Sequence, residues 1–186
     1  MAGITDRQLK DRINTYAEAL TDDWPYVPVA DAVVDMARKH FTGVHNYPIS
    51  LGCALVHQES WFRNIMGCDW GSRWTWEPPY CQVLVTKGRV KKLIENIEDG
   101  GGQNGVGLCQ LTDISFVREA EALGGAHIPR NQLDVGFNLL ARLIKTYGYY
   151  GGVGAYNAGP GNRNAVRWTY TQSVEDKHNL WIARLT

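Results

Sequence analysis

A chain of 186 residues, 44% hydrophobic and 20% charged, is long enough for one domain that buries roughly 70% of its unfolded surface. Lys+Arg and Asp+Glu both number 19, so the net charge is zero and no basic footprint marks nucleic acid as a partner. No apolar run approaches the roughly 20 residues that span a bilayer, and Met1 leads into Asp6, Arg7 and Lys10 rather than into a signal-peptide core, so neither membrane insertion nor a secretion signal is expected.

Thr5-Asp6-Arg7-Gln8 has the form of a capping box, and Leu9, Ile13, Tyr16 and Leu20 follow at helical spacing. That first helix should end at the Asp22-Asp23-Trp24-Pro25 turn. Pro28 suits the first position of a second helix, with Val29, Val33, Met36 and Ala37 on one face. Ile49 to His57 is apolar nearly all round and runs straight into Gln58-Glu59-Ser60, which predicts a buried central helix. From Asn64 to about Gly88 turn residues and aromatics replace the pattern. An inserted loop is expected there, with a small β-ribbon within 65–88. Arg89 to Asp99 predicts a short helix with Val90, Leu93, Ile94 and Ile97 inward, broken by Gly100-Gly101-Gly102. Asn131 should cap a helix carrying Leu133, Phe137, Leu140, Ile144 and Tyr147, which stops at Gly148 and gives way to a Tyr/Gly-rich turn. Ser173 opens a last helix with Val174, Trp181 and Leu185 inward. No alternating Val/Ile/Thr-rich run announces a sheet, so the fold class is mainly α. One domain is expected, with N-terminal helices over 1–44, a core over 45–165 and a C-terminal helix over 166–186.

The four cysteines, Cys53, Cys68, Cys81 and Cys109, form no CxxC pair, which weakens redox and zinc-ribbon readings. Cys68 and Cys81 flank a Trp- and Pro-rich stretch, and a disulfide closing that loop fits an oxidising compartment. Cys53 and Cys109 sit in apolar segments and read as small core residues. Cys53 and His57 share a helix face and could join Cys68 and Cys81 around a metal, but the spacing matches no standard zinc finger. No metal and no other cofactor is expected.

Three stretches carry chemistry. Glu59 ends an otherwise apolar helix, where a carboxylate either pairs with a cation or holds a proton at neutral pH, ready to donate it. Taken alone it also fits a solvated cap or a partner of Arg63. In Asn104-Gly105-Val106-Gly107-Leu108-Cys109-Gln110-Leu111 two glycines imply close backbone approach and Gln110 is an amide among apolar neighbours, which suits a tight turn as well as a site. Ala155-Tyr156-Asn157-Ala158-Gly159-Pro160-Gly161 fits a helix end with Gly159 as cap and Pro160 as stop.

In this order, Gln58-Glu59-Ser60, Gly107-Leu108-Cys109-Gln110-Leu111 and Ala155-Tyr156-Asn157-Ala158-Gly159 resemble the soluble lytic transglycosylase and goose-type lysozyme superfamily. The resemblance covers roughly residues 45 to 165 and implies a lysozyme-like domain acting on the glycan strand of peptidoglycan, between N-acetylmuramic acid and N-acetylglucosamine. It implies Glu59 as catalytic acid and Ser60 as the neighbour orienting substrate or carboxylate. Gln110 would contact sugar or Glu59, Tyr156 would place its hydroxyl near Glu59, and Asn157 would fix the backbone or an N-acetyl group. Cys109 stands where the family has Met, and Leu139 where many transglycosylases have Tyr. The stretch between Glu59 and Gln110 is longer than usual, and its Trp70, Trp74 and Trp76 suit a lid, a sugar-stacking wall or a satellite cluster.

Most glycosidases use two carboxylates. Asp99 and Asp113 are the candidates for a second, although Thr112 occupies the later goose-type position and Asp99 is out of register with the earlier one. Without a dedicated base, the tethered C6 hydroxyl of the muramic acid is the better-placed nucleophile, and 1,6-anhydro ends are expected. Hydrolysis to reducing ends, or a glycan-binding module without activity, are the alternatives. The expected setting is a phage endolysin, made in the host cytoplasm and acting on the wall as a monomer, or one module of a larger lysin.

Overall fold

The computed structural model describes residues 4–21, 24–69, 81–160 and 167–186. Seven helices are present among them: α1 (Asp6–Thr21), α2 (Ala30–Phe41), α3 (Pro48–Ser60), α4 (Lys87–Glu98), α5 (Ile114–Ala122), α6 (Pro129–Ala158) and α7 (Arg167–Leu185), with a 3-10 turn at Gly107–Cys109. Helix α3 is the hub, packed against α2 on one side and α7 on another, while α6 closes over α2 and α7. Its residues from Ser50 to His57 are all buried, as an apolar circumference requires. Phe41, Leu51, Leu55, Phe62, Phe137 and Trp181 fill the core around it. The described residues are mainly α, as the sequence implies.

The capping box forms. Thr5 Oγ1 accepts from the Gln8 N–H (3.3 Å) and Gln8 Oε1 accepts from the Thr5 N–H (3.0 Å). Helix α2 starts at Ala30, two residues after Pro28, because Asn14 of α1 supplies the cap: its Oδ1 accepts from the Ala30 N–H at 3.2 Å and from the Tyr26 hydroxyl at 2.6 Å. The β-ribbon expected in 65–88 is reduced to two antiparallel bridges, Ile65 with Leu84 and Met66 with Val106. Cys68 and Cys81 are joined as a disulfide, with Cα atoms 5.0 Å apart. Asp22, Asp23, Trp70, Trp74 and Trp76 lie outside the described residues.

Two helix boundaries differ from the sequence pattern in ways that matter for the site. Helix α6 begins at Pro129, not Asn131, and Asn131 instead ties its amide to the Gly125 carbonyl at 3.0 Å. Gly148 breaks α6 with φ 72° and ψ 172°, a conformation that only glycine reaches without strain, yet helix resumes at once and carries Tyr156 and Asn157 to its end. Helix α7 begins at Arg167, six residues before Ser173, whose hydroxyl donates to Gln58 Oε1 (2.7 Å) instead of opening the helix. That extra length brings Tyr170 to the end of α3.

Candidate active site

Glu59 sits in the last turn of α3, where the helix stops because Trp61 and Phe62 both turn into the left-handed region (φ 53° and 60°). Its partly buried carboxyl forms one wall of a cavity of about 620 Å³. Asp69, Gln110, Thr112, Tyr156 and Asn157 line the same cavity, and Leu111, Phe116, Leu139 and Leu143 give it an apolar side. Burial pushes the Glu59 carboxyl up to about 7; a hydrogen bond donated by the Tyr170 hydroxyl pulls the other way, and the negative field of Asp69 adds to the rise. A carboxylic acid that still holds its proton near neutral pH, open to a cavity, is equipped to protonate a leaving oxygen.

The backbone under Glu59 is held by Ser60. Its buried hydroxyl donates to the carbonyls of Val56 (3.1 Å) and Leu108 (3.0 Å), which pins the end of α3 to the 3-10 turn. Ser60 does not line the cavity, so it supports the acid from behind. Gln110 does line it, in a left-handed conformation (φ 46°). Its amide donates to the carbonyls of Gly107 (2.8 Å) and Ile65 (3.2 Å), which locks the turn rather than touching Glu59.

Tyr156 shares the cavity with Glu59 and feels its charge, while its hydroxyl donates to the Cys109 carbonyl at 2.8 Å; the hydroxyl bonded to Glu59 is that of Tyr170. Gly136 makes room for this packing, since a Cβ there would lie 2.7 Å from Cys109 Sγ and 3.1 Å from the Tyr156 hydroxyl. Tyr170 had a signal in the sequence. Tyr170, Val174, His178, Trp181 and Leu185 fall at helical spacing, so carrying the α7 period back one turn before Ser173 reaches it.

Asn157 is exposed at the cavity rim. Asp99 caps the C-terminus of α4, is exposed and lies away from the cavity. Asp113 reaches the rim but serves as the N-cap of α5: its Oδ1 accepts from the Ser115 N–H (2.8 Å) and hydroxyl (2.6 Å), which hold its pKa below the ordinary value. The second carboxylate beside Glu59 is Asp69, which the sequence reading passed over as part of the irregular loop. Burial raises its pKa, while a hydrogen bond from the Gly105 N–H lowers it. A metal set of Cys53, His57, Cys68 and Cys81 is ruled out by the Cys68–Cys81 bond. Cys53 is a buried free thiol, and burial drops the His57 imidazole to about 4.

The helices thus set one carboxyl with a raised pKa in the wall of an open cavity. Residues 90–179 match the family model of the transglycosylase SLT domain, a family of the lysozyme-like superfamily. The match takes in Gln110, Tyr156, Asn157 and Tyr170 and begins beyond Glu59, Ser60 and Asp69. No curated protein and no solved structure matches the chain. Transglycosylase chemistry on peptidoglycan is the general activity that this match supports.

Proposed function

We propose that the protein cleaves the β-1,4 bond between N-acetylmuramic acid and N-acetylglucosamine of peptidoglycan as a lytic transglycosylase, with Glu59 as the acid. The observation that carries this reading is the Glu59 carboxyl, raised to about 7 in the cavity wall and held by Tyr170. Glu59 gives its proton to the glycosidic oxygen as the bond from that oxygen to C1 breaks. The C6 hydroxyl oxygen then bonds to C1, and the Glu59 carboxylate takes the hydroxyl proton, which restores the acid and leaves a 1,6-anhydro end. Ser60, Gln110 and Tyr156 act as positioning residues for this step, through the backbone that carries Glu59 and the turn that faces it.

Action as a monomer is part of this proposal. The setting belongs to the same proposal: an enzyme made in the host cytoplasm that acts on the cell wall in phage-mediated lysis. The test is clearing of a wall suspension by wild type and Glu59→Gln. The amide is isosteric and cannot supply the proton, so a loss of about a hundredfold or more is expected. Near-wild-type clearing by the variant would remove Glu59 from the chemistry. Binding without clearing by the wild type would leave a glycan-binding module.

A further inference from the structure

A second concavity lies at the far end of α7 from Glu59. It encloses about 530 Å³ and is lined by Asp11, Arg12, Thr15, Tyr16 and Ala19 of α1 and by Arg184 of α7. Other cations of the molecule are spent on carboxylates: Lys10 on Asp31, Arg38 on Asp6, Lys39 on Asp134, Arg118 on Glu98 and Arg130 on Asp35. Neither Arg12 nor Arg184 forms an ion pair among the described residues.

Both guanidiniums are nevertheless held in place. Buried Trp181 packs edge-on against Tyr16, with ring centroids 5.0 Å apart, and the Arg184 guanidinium lies over the Tyr16 ring, 3.5 Å from its centroid. Arg12 Nη1 donates to the Arg184 carbonyl at 3.2 Å. Asp11, the acid on the lining, stands 3.9 Å from Arg7 Nε, so two cations face one acid in the hollow and its balance is positive. Two planar cations oriented in advance suit a carboxylate, because little side-chain freedom is lost when it binds.

The hollow is continuous with the site at Glu59 along one face of α7. Tyr170, Lys177 and Arg184 recur at seven-residue spacing, about two turns of helix, and so share that face. Tyr170 bonds Glu59. The Lys177 ammonium, which forms no ion pair among the described residues, sits 6.0 Å from the centroid of the exposed Trp61 ring. Arg184 closes the row about 21 Å along the helix from Tyr170. We propose that the hollow at Arg12 and Arg184 is a second binding site, which takes a free carboxylate of a peptide borne by the glycan strand. The proposal rests on the reading that peptidoglycan is the substrate, since its muramic acid units carry such peptides. At that distance the site cannot touch the scissile bond, so it holds the strand and leaves the chemistry to Glu59.

Titration of the whole chain with a synthetic stem peptide, followed by NMR of the backbone amides, tests this. The peptide with free carboxylates should shift amides around Arg12 and Arg184, and its fully amidated form should bind about tenfold more weakly or worse. Arg12→Gln and Arg184→Gln should each weaken binding by about fivefold or more, with melting temperatures to show that both variants fold. Lys92→Gln removes the same charge from an exposed position on α4 and should leave binding unchanged. Equal affinity for the amidated peptide overturns the proposal on the wild-type chain alone, and so does unchanged binding in both arginine variants. Inorganic phosphate bound at the same amides more tightly than the peptide would assign the hollow to a phosphate polymer and overturn it as well. The titration involves no cleavage, so its failure leaves the Glu59→Gln comparison standing. A wild-type chain that clears no wall fails the underlying reading instead, and the two failures are distinct.

Discussion

Two carboxylates that helices carry into the molecule meet opposite fates. Asp134 on α6 is 20% exposed, and burial alone would raise its pKa. Lys39 Nζ at 2.7 Å and His40 Nε2 at 2.5 Å, both from α2, bond its carboxylate and bring the pKa below the ordinary value. Glu59 at the end of α3 is raised by burial to about 7, and its bonded partner is the neutral hydroxyl of Tyr170. Its charged neighbour is another carboxylate, Asp69, which pushes the same way as burial. Burial is common to both places, and the partner decides which one keeps a proton. The cation-paired site ties α2 to α6, whereas Glu59, beside which no cation stands among the described residues, retains an acid that can react.

The sharpest break of this contrast is Glu59→Gln, which should move activity and stability in opposite directions. With a folded pKa of about 7 against an ordinary 4.5, Glu59 binds its proton more tightly in the fold than in the unfolded chain. Its stabilising contribution is therefore full below the unfolded value and is lost as pH rises through the folded one. The loss is at most about 3 kcal/mol, and the amide escapes it because it never ionises. Wall clearing should fall about a hundredfold or more, while the melting temperature at about pH 8 rises above wild type and converges with it at about pH 4. A variant less stable at alkaline pH would show that Glu59 is an ordinary ionised residue.

The next effect in size tests the hydroxyl. Tyr170 favours the ionised form of Glu59, so Tyr170→Phe should raise the Glu59 pKa further and shift the alkaline limb of the pH–rate profile upward. Turnover should fall by about tenfold as the carboxyl loses its orientation. Tyr156→Phe is the control, because that hydroxyl serves the Cys109 carbonyl. It should cost about 1 kcal/mol of stability and leave the position of the limb alone. If the limb moves with Tyr156→Phe and not with Tyr170→Phe, the acid is held by the other tyrosine.

Much of this was legible because helical periodicity is a strong signal where packing enforces it. The apolar run into Glu59, the helix over 87–98 and the inward face of α6 follow from spacing alone. Cys68 and Cys81 pair because both sit in the irregular loop, where they can meet without moving a helix. The misses share a cause. Tyr170, Asp69 and the hydrogen bond of Tyr156 depend on contacts across the chain, |i−j| of 111 for Tyr170 to Glu59 and 47 for Tyr156 to Cys109. Gly148 was read as a stop because a left-handed glycine normally ends a helix. Here the chain bends and continues, since Val153, Gly154 and Ala155 bury a second stretch behind the cavity.

The smallest expected effect lies at the other pole of the comparison. Asp134 has a lowered folded pKa, so its contribution is present above the unfolded value and disappears as pH falls through the folded one. Asp134→Asn should therefore cost roughly 1 kcal/mol or less at neutral pH, with the difference from wild type closing in acid. Clearing activity should not change, because Asp134 does not line the cavity. The stability curves of the two variants then slope in opposite senses with pH: Glu59→Gln gains on wild type as the medium turns alkaline, and Asp134→Asn gains on it as the medium turns acid. Melting temperatures of both variants across the pH range measure this directly. Parallel curves would mean that burial alone governs both carboxylates, and the role assigned to Lys39 and His40 would fall.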